Sequence, residues 1–419
     1  MERRPKRPPL PVPSLPAAAA APVKMTDNSK TGSYLAVGLT VGLAPPALYA
    51  LFLLLSAIPI FQRNFLYAHK INTLWWPGTN LNKPERWGFA KNQVIPFALP
   101  TPDGSSLYAW HILPLPLYAQ HEDRLASQPG GFSYDVTTTD NFKLLRDDPT
   151  SKLIISFHGN AGHISQSHRP RHYHSLTDTT RYHLLAIDYR GFGHSTGSPT
   201  ESGLILDAVT AIDWAINTAG VSPSRIVLLG QSLGTAVASA AAELYATNEG
   251  VDFAGVVLVA GFSSLPAMLT GYSIAGFLPV LRPLTWWPWL LKNVMARVVD
   301  RWESAARWRK ICQNVNRRGG RLRLNLVHAR NDWDIPAHED DKLFRAAVSG
   351  LIDAGEDLDD AWLNREKESR TIRRGKKAFT ATWREGNAVV RQELFPHGGH
   401  NDVTFYAPVL LAVMRSFET

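Results

Sequence analysis

Short apolar runs alternate with helically spaced ones through most of this chain. QVIPFAL and SSLYAWHIL predict two early strands, the second ending at residue 113. KLIISF, HLLAID, RIVLLG, AGVVLVA and LRLNLVHA are unbroken in hydrophobicity, as strands of a sheet covered on both faces must be. Between them, LILDAVTAIDWAIN and LGTAVASAAAELYA carry apolar residues at helical spacing. Strand and helix in alternation predict βαβ units, hence an α/β fold with a mostly parallel central sheet and helices on both faces.

Three stretches depart from this rhythm. Residues 34–61 hold no charged residue and exceed the roughly 20 residues needed to cross a bilayer core. They predict a transmembrane signal-anchor helix, with a buried core helix as the alternative. Pro45-Pro46 predicts a kink or a late start. Residues 264–310 include GFLPVLRPLTWWPWLLKNVMARVV, either plain core or an apolar lid over an acyl-binding site. Residues 353–388 pass from acidic (Glu356, Asp357, Asp359, Asp360) to basic (Arg370, Arg373, Arg374, Lys376, Lys377), the pattern of a charged surface insertion. The predicted organisation is a disordered tail at 1–31, the anchor at 34–61, and a catalytic domain at 88–419.

Composition narrows the picture further. Of 419 residues, 45% are apolar, enough for a large core. About half of the net charge of +8 lies in the first thirty residues, where Arg3, Arg4, Lys6, Arg7, Lys24 and Lys30 face only Glu2 and Asp27. A basic tail of this kind suits an anionic membrane surface, and no nucleic-acid-binding motif accompanies it. A lone cysteine, Cys312, excludes an internal disulfide and a cysteine metal cluster.

The pattern Gly-x-Ser-x-Gly occurs at Gly193–Gly197 and at Gly230–Gly234. A nucleophile elbow needs a strand running into a tight turn and a helix leaving it. Ser232 has IVLLG before it and LGTAVASAAAE after it, whereas Ser195 sits in a polar loop. Gly230, Gln231 and Gly234 complete the elbow around Ser232. A serine hydroxyl needs a base to activate it and an acid to orient that base. The acid falls in the loop after LNLVHA, at Asp332 or Asp334, with Asp332 preferred. The base falls at His400 or His397, with His400 preferred because it lies next to the C-terminal helical segment. The oxyanion would take the Leu233 amide and one from the loop HGNAG, namely Asn160. His163, His168, His172, His174 and His183 crowd together, but no ligand spacing such as HExxH joins them. They read as a polar loop and helix over the site, and no metal or cofactor is implied.

HGNAG, DYRGFGHSTGSPTE, GQSLG, HARNDWDIP and HGGHND occur in the order seen in α/β-hydrolase-domain proteins. From about residue 88 onward the chain resembles their membrane-anchored branch, which includes monoacylglycerol and lysophosphatidylserine lipases. The resemblance implies Ser232 as nucleophile, Asp332 as acid and His400 as base. It also implies a lipid ester as substrate, contact with the membrane through the N-terminal helix and lid, and a catalytic domain facing the lumen of the endoplasmic reticulum. Depalmitoylase relatives carry a cysteine-rich N-terminus, which this chain lacks. The alternatives to a lipid esterase are an acyl-protein thioesterase and a catalytically silent scaffold. Nothing in the sequence bears on oligomeric state.

Overall fold

The computed structural model describes residues 44–274, 278–353 and 359–418. The chain divides into the units Met1–Leu54 and Leu55–Thr419. In the second unit the strands are β1 (Val94–Pro100), β2 (Ser106–Ile112), β3 (Lys152–Phe157), β4 (Tyr182–Ile187), β5 (Ile226–Gln231) and β6 (Gly255–Val259), then β7 (Ser273–Ile274), β8 (Leu278–Pro279), β9 (Leu322–Ala329), β10 (Thr371–Arg373), β11 (Phe379–Glu385) and β12 (Ala388–Phe395). Ten of the described strands form one sheet in the order β1-β2-β4-β3-β5-β6-β9-β12-β11-β10. The six from β4 to β12 run parallel, with antiparallel β1-β2 at one edge and β11-β10 at the other.

The unbroken apolar runs occupy the middle of this sheet, where both faces are covered. Ile154, Val227, Val257 and Val327 pack with Tyr173 and Leu176 of helix Arg169–Thr177 and with Val409 and Val413 of helix Ala407–Ser416. The alternate residues Leu153, Ile155, Leu228, Val256 and Leu258 are buried as well. Helix Leu233–Leu244 follows β5, and the Trp308 indole donates to Ser239 Oγ at 2.8 Å, tying helix Ser304–Arg318 to it.

Among the described residues, no single helix is long and apolar enough to cross a membrane. The continuous span expected over 34–61 is broken: its described part is divided between helices Ala44–Ser56 and Pro59–Tyr67. Pro59 causes the break, since it lacks an N–H and forces Ile58 out of helical backbone (φ −95°, ψ 122°). The tail at 1–31 and the start of the span lie outside the described residues.

Much of the stretch expected as a charged surface insertion is built into the fold. It contributes helix Asp360–Ser369 and strands β10 and β11, and Thr380, Ala381 and Trp383 of β11 are buried. Residues 354–358 lie outside the description. The stretch 264–310 holds helix Leu265–Gly271, the β7–β8 pair and helix Pro288–Met295. Its tryptophans divide: Trp302 and Trp308 are core, whereas in the segment 286–289 Trp286 is 84% exposed and Trp289 is 67% exposed.

Candidate active site

β5 ends at Gln231, and Ser232 follows with φ 54° and ψ −119°, a conformation costly for any residue but glycine. Surrounding structure imposes it: Ser232 N–H donates to the Val259 carbonyl on β6 at 3.0 Å, and helix Leu233–Leu244 begins at once. The two flanking glycines serve space rather than φ. A Cβ on Gly230 would lie 2.3 Å from the Gly234 carbonyl oxygen, and one on Gly234 would lie 1.9 Å from that of Phe157. Neither position tolerates a side chain.

The hydroxyl of Ser232 is 2.9 Å from His400 Nε2, and His400 Nδ1 is 2.8 Å from Asp332 Oδ2. Asp332, which follows β9, is closed in by donors. Its Oδ1 accepts the N–H groups of Asp334 and Ile335, both at 2.9 Å. Asp334 therefore supplies a backbone donor to the acid that contacts His400. His397 is exposed. The loop carrying His400 is pinned to the acid loop, with Gly399 N–H donating to Asn331 Oδ1 at 2.9 Å.

A further residue, unrecognised in the sequence, joins this line. His328 on β9 is buried, with Nε2 at 3.2 Å from Asp332 Oδ2 and at 3.1 Å from the Ile335 carbonyl. Its Nδ1 forms an ion pair with buried Asp340 at 3.3 Å. Burial opposes charge on His328, but Asp340 and then Asp332 outweigh it and raise its pKa to about 10. Burial likewise opposes the Asp332 charge, yet His400 and His328 hold its carboxyl well below the usual carboxylate range. The sequence signal for His328 was its place on a strand four residues before the acid. A histidine in an apolar strand gives no sign of which partners it meets.

A buried backbone N–H requires an acceptor, and most of those around Ser232 have one. In the loop after β3, Gly159 N–H donates to Gln231 Oε1 (3.2 Å), Ala161 N–H to the Tyr67 carbonyl (3.0 Å), and Gly162 N–H to the Ile71 carbonyl (2.9 Å). The Asn160 and Leu233 amides have no acceptor among the described residues. Gln231 also donates to the His400 carbonyl at 3.3 Å, so the elbow's second residue links the two loops that flank the hydroxyl.

Ser232, His400, Asn160 and Leu233 line a cavity of about 300 Å³ whose remaining wall is mostly apolar. Phe65, Leu66 and Ile71 close it on one side, and Phe262, Leu265, Met268 and Leu269 on another. Helix Pro59–Tyr67 is held to the stretch 264–310 by Gln62, which donates to the Arg297 carbonyl (3.0 Å) and accepts from Val299 N–H (2.8 Å).

Ser195, the other motif serine, is buried and structural. Its hydroxyl donates to the Asp188 carbonyl (2.7 Å) and accepts from Tyr108 N–H (2.8 Å), bridging β2 to the loop after β4. Four of the clustered histidines disperse into the packing, while His168 stays beside Gln231 of the elbow. His163 meets Thr73 Oγ1 (3.0 Å), His172 the Thr404 carbonyl (2.7 Å), His174 Asp178 (2.9 Å), and His183 the ring of His111 (3.2 Å).

A sequence model described as the alpha/beta hydrolase family matches residues 153–412. The chain is similar to the human protein ABHD12B, 29% identical over 275 residues that cover 65% of this chain and 61% of that protein. It is similar to lysophosphatidylserine lipase ABHD12 of Xenopus tropicalis, 28% identical over 186 residues, 44% of this chain and 43% of the relative. An uncharacterized Salmonella typhi protein, YfhR, is 31% identical over 188 residues, 45% of this chain and 50% of that one. The chain thus spans about half the length of the curated relatives it matches. Among solved structures, an alpha-beta hydrolase from Vibrio vulnificus shares the fold, with a TM-score of 0.54 and 15% identity, covering 85% of this chain and 92% of the other.

Proposed function

Since the chain belongs to the alpha/beta hydrolase family, we propose that it is a serine hydrolase that cleaves a lipid carboxylic ester, a monoacylglycerol or lysophospholipid, at the membrane. The observation that carries this reading is the hydrogen-bonded line from Ser232 through His400 to Asp332, opening on an apolar cavity. Ser232 Oγ attacks the ester carbonyl while His400 Nε2 takes its proton, and Asp332 stabilises the imidazolium that forms. The Asn160 and Leu233 amides receive the oxyanion. The alcohol leaves with the proton from His400, water attacks the acyl-enzyme with His400 again as base, and the fatty acid departs.

Three features support a lipid acyl group and a membrane setting. The cavity wall is largely apolar, Trp286, Trp287 and Trp289 are exposed on the stretch that helps line it, and one similar protein is named a lysophosphatidylserine lipase. We read 264–310 as a lid and 34–61 as the anchor region. The basic tail favours a cytosolic N-terminus and a lumenal catalytic domain, in the endoplasmic reticulum; destruction of that domain by protease added to intact microsomes would reverse this.

The test is labelling of the membrane fraction with a fluorophosphonate probe, followed by a panel of monoacylglycerol, lysophosphatidylserine and an acyl-cysteine peptide. Labelling lost in Ser232→Ala and kept in Ser195→Ala is expected. Preference for the peptide would turn the reading to a thioesterase, and an unlabelled folded wild type would turn it to a silent scaffold.

A further inference from the structure

One buried cation lies behind the candidate oxyanion loop. Arg169, at the start of helix Arg169–Thr177, is 7% exposed. Its Nη2 donates to three successive carbonyls, those of Gly159 (3.0 Å), Asn160 (3.0 Å) and Ala161 (2.9 Å), while Nη1 donates to the His163 carbonyl at 2.6 Å. Successive carbonyl oxygens converging on one point repel one another. A loop adopts that geometry only where a cation gathers them. Ala161 (φ 57°) and Gly162 (φ 71°) take left-handed backbone, the turn that brings the oxygens inward.

The consequence for the opposite side of the loop follows from peptide geometry. The described peptides contain no cis bond, and in a trans peptide the C=O and the following N–H point in opposite directions. With the Gly159 carbonyl on Arg169, the Asn160 N–H points away from the guanidinium. That amide is the one in loop 159–162 with no acceptor among the described residues, and Asn160 lines the cavity that holds Ser232.

We propose that Arg169 is a positioning residue for oxyanion stabilisation, fixing the Asn160 amide toward the reacting carbonyl by holding the backs of three peptide units. This rests on the hydrolase reading above. Lysine cannot replace it, because a compact ammonium lacks the planar fork that reaches the three-carbonyl cluster and His163 together. Asp188 lies nearby, its carboxyl pKa pushed up to about 8 by burial against the opposing pull of Arg169; its Oδ1 accepts the Ile164 N–H of the same loop at 2.7 Å.

The experiment compares wild type with Arg169→Lys and Arg169→Met on a water-soluble p-nitrophenyl ester, scaled to the folded fraction by near-UV circular dichroism. A trifluoromethyl ketone that becomes tetrahedral on Ser232 serves as the second probe. The expected result is a kcat loss on the order of 10²–10³-fold, the scale of one missing oxyanion donor, with KM nearly unchanged. Affinity for the ketone should weaken in parallel. Should Arg169→Met not fold, Arg169→Lys carries the comparison. A folded Arg169→Lys protein with wild-type kcat and ketone affinity would overturn the proposal alone. A loss confined to melting temperature would do the same, leaving Arg169 a stabilising residue. A wild type inert to ester and fluorophosphonate alike would overturn the hydrolase reading, and this inference with it.

Discussion

Two serines share one pentapeptide pattern, and their surroundings separate them. Ser195 is saturated by a donor and an acceptor on the backbone, whereas the Ser232 hydroxyl meets the His400 imidazole directly and opens on a cavity. Ser195→Ala is therefore expected to destabilise the protein by about 1–3 kcal/mol, the cost of a buried partner lost, and to keep fluorophosphonate labelling; urea denaturation beside labelling checks both. His328 makes a different prediction. Its pKa is raised from an ordinary 6.5 to about 10, so the folded state binds its proton more tightly than the unfolded state. The stability it lends is complete below its unfolded pKa and is lost as pH rises through about 10. Melting temperature should fall over that window in wild type, and the fall should be shallower in His328→Gln. Equal slopes would mean that His328 is neutral in the fold.

At the level of elements, the strands that bear the site were readable because each is apolar along its whole length. So were the helices that follow them, from spacing alone. The break at Pro59 is hidden in the sequence, because residues 34–61 read as one apolar stretch and Pro45-Pro46 is the stronger local signal for a kink. The charge run after residue 353 hid β11, an edge-side strand whose buried residues are Thr380, Ala381 and Trp383, so that polar and small side chains dilute its hydrophobic signal. Helix Pro288–Met295 has no buried residue, and the tryptophans beside and within it stand in solvent. If this element meets a bilayer, replacing Trp286, Trp287 and Trp289 together by Ala should lower binding to phosphatidylcholine vesicles in flotation assays. Hydrolysis of a water-soluble ester should stay near the wild-type rate. Unchanged flotation would remove the stretch 264–310 from the proposed membrane contact.

Across the whole chain, the proposed membrane contact divides into two separable kinds of attraction, charge from the tail and apolar surface from the tryptophans. Binding to vesicles rich in phosphatidylserine should weaken as salt is raised, since charge attraction is screened within about a Debye length. The part that persists at high salt should be the part lost with the tryptophans. By itself the sequence determined the parallel α/β plan and the order of the candidate residues. Strand hydrophobicity and the tight strand–turn–helix at Ser232 are local properties, written in consecutive residues. Only the tertiary structure decided which atoms meet. Asp332 and His400 are 68 residues apart in sequence, and His400 and Ser232 are 168 apart. The charge of His328, the carbonyls gathered by the Arg169 guanidinium and the direction of the Asn160 amide depend on packing between elements distant in the chain. Burial and long-range contact fix the charge of such groups and the direction they face, and neither is encoded in a residue's near neighbours.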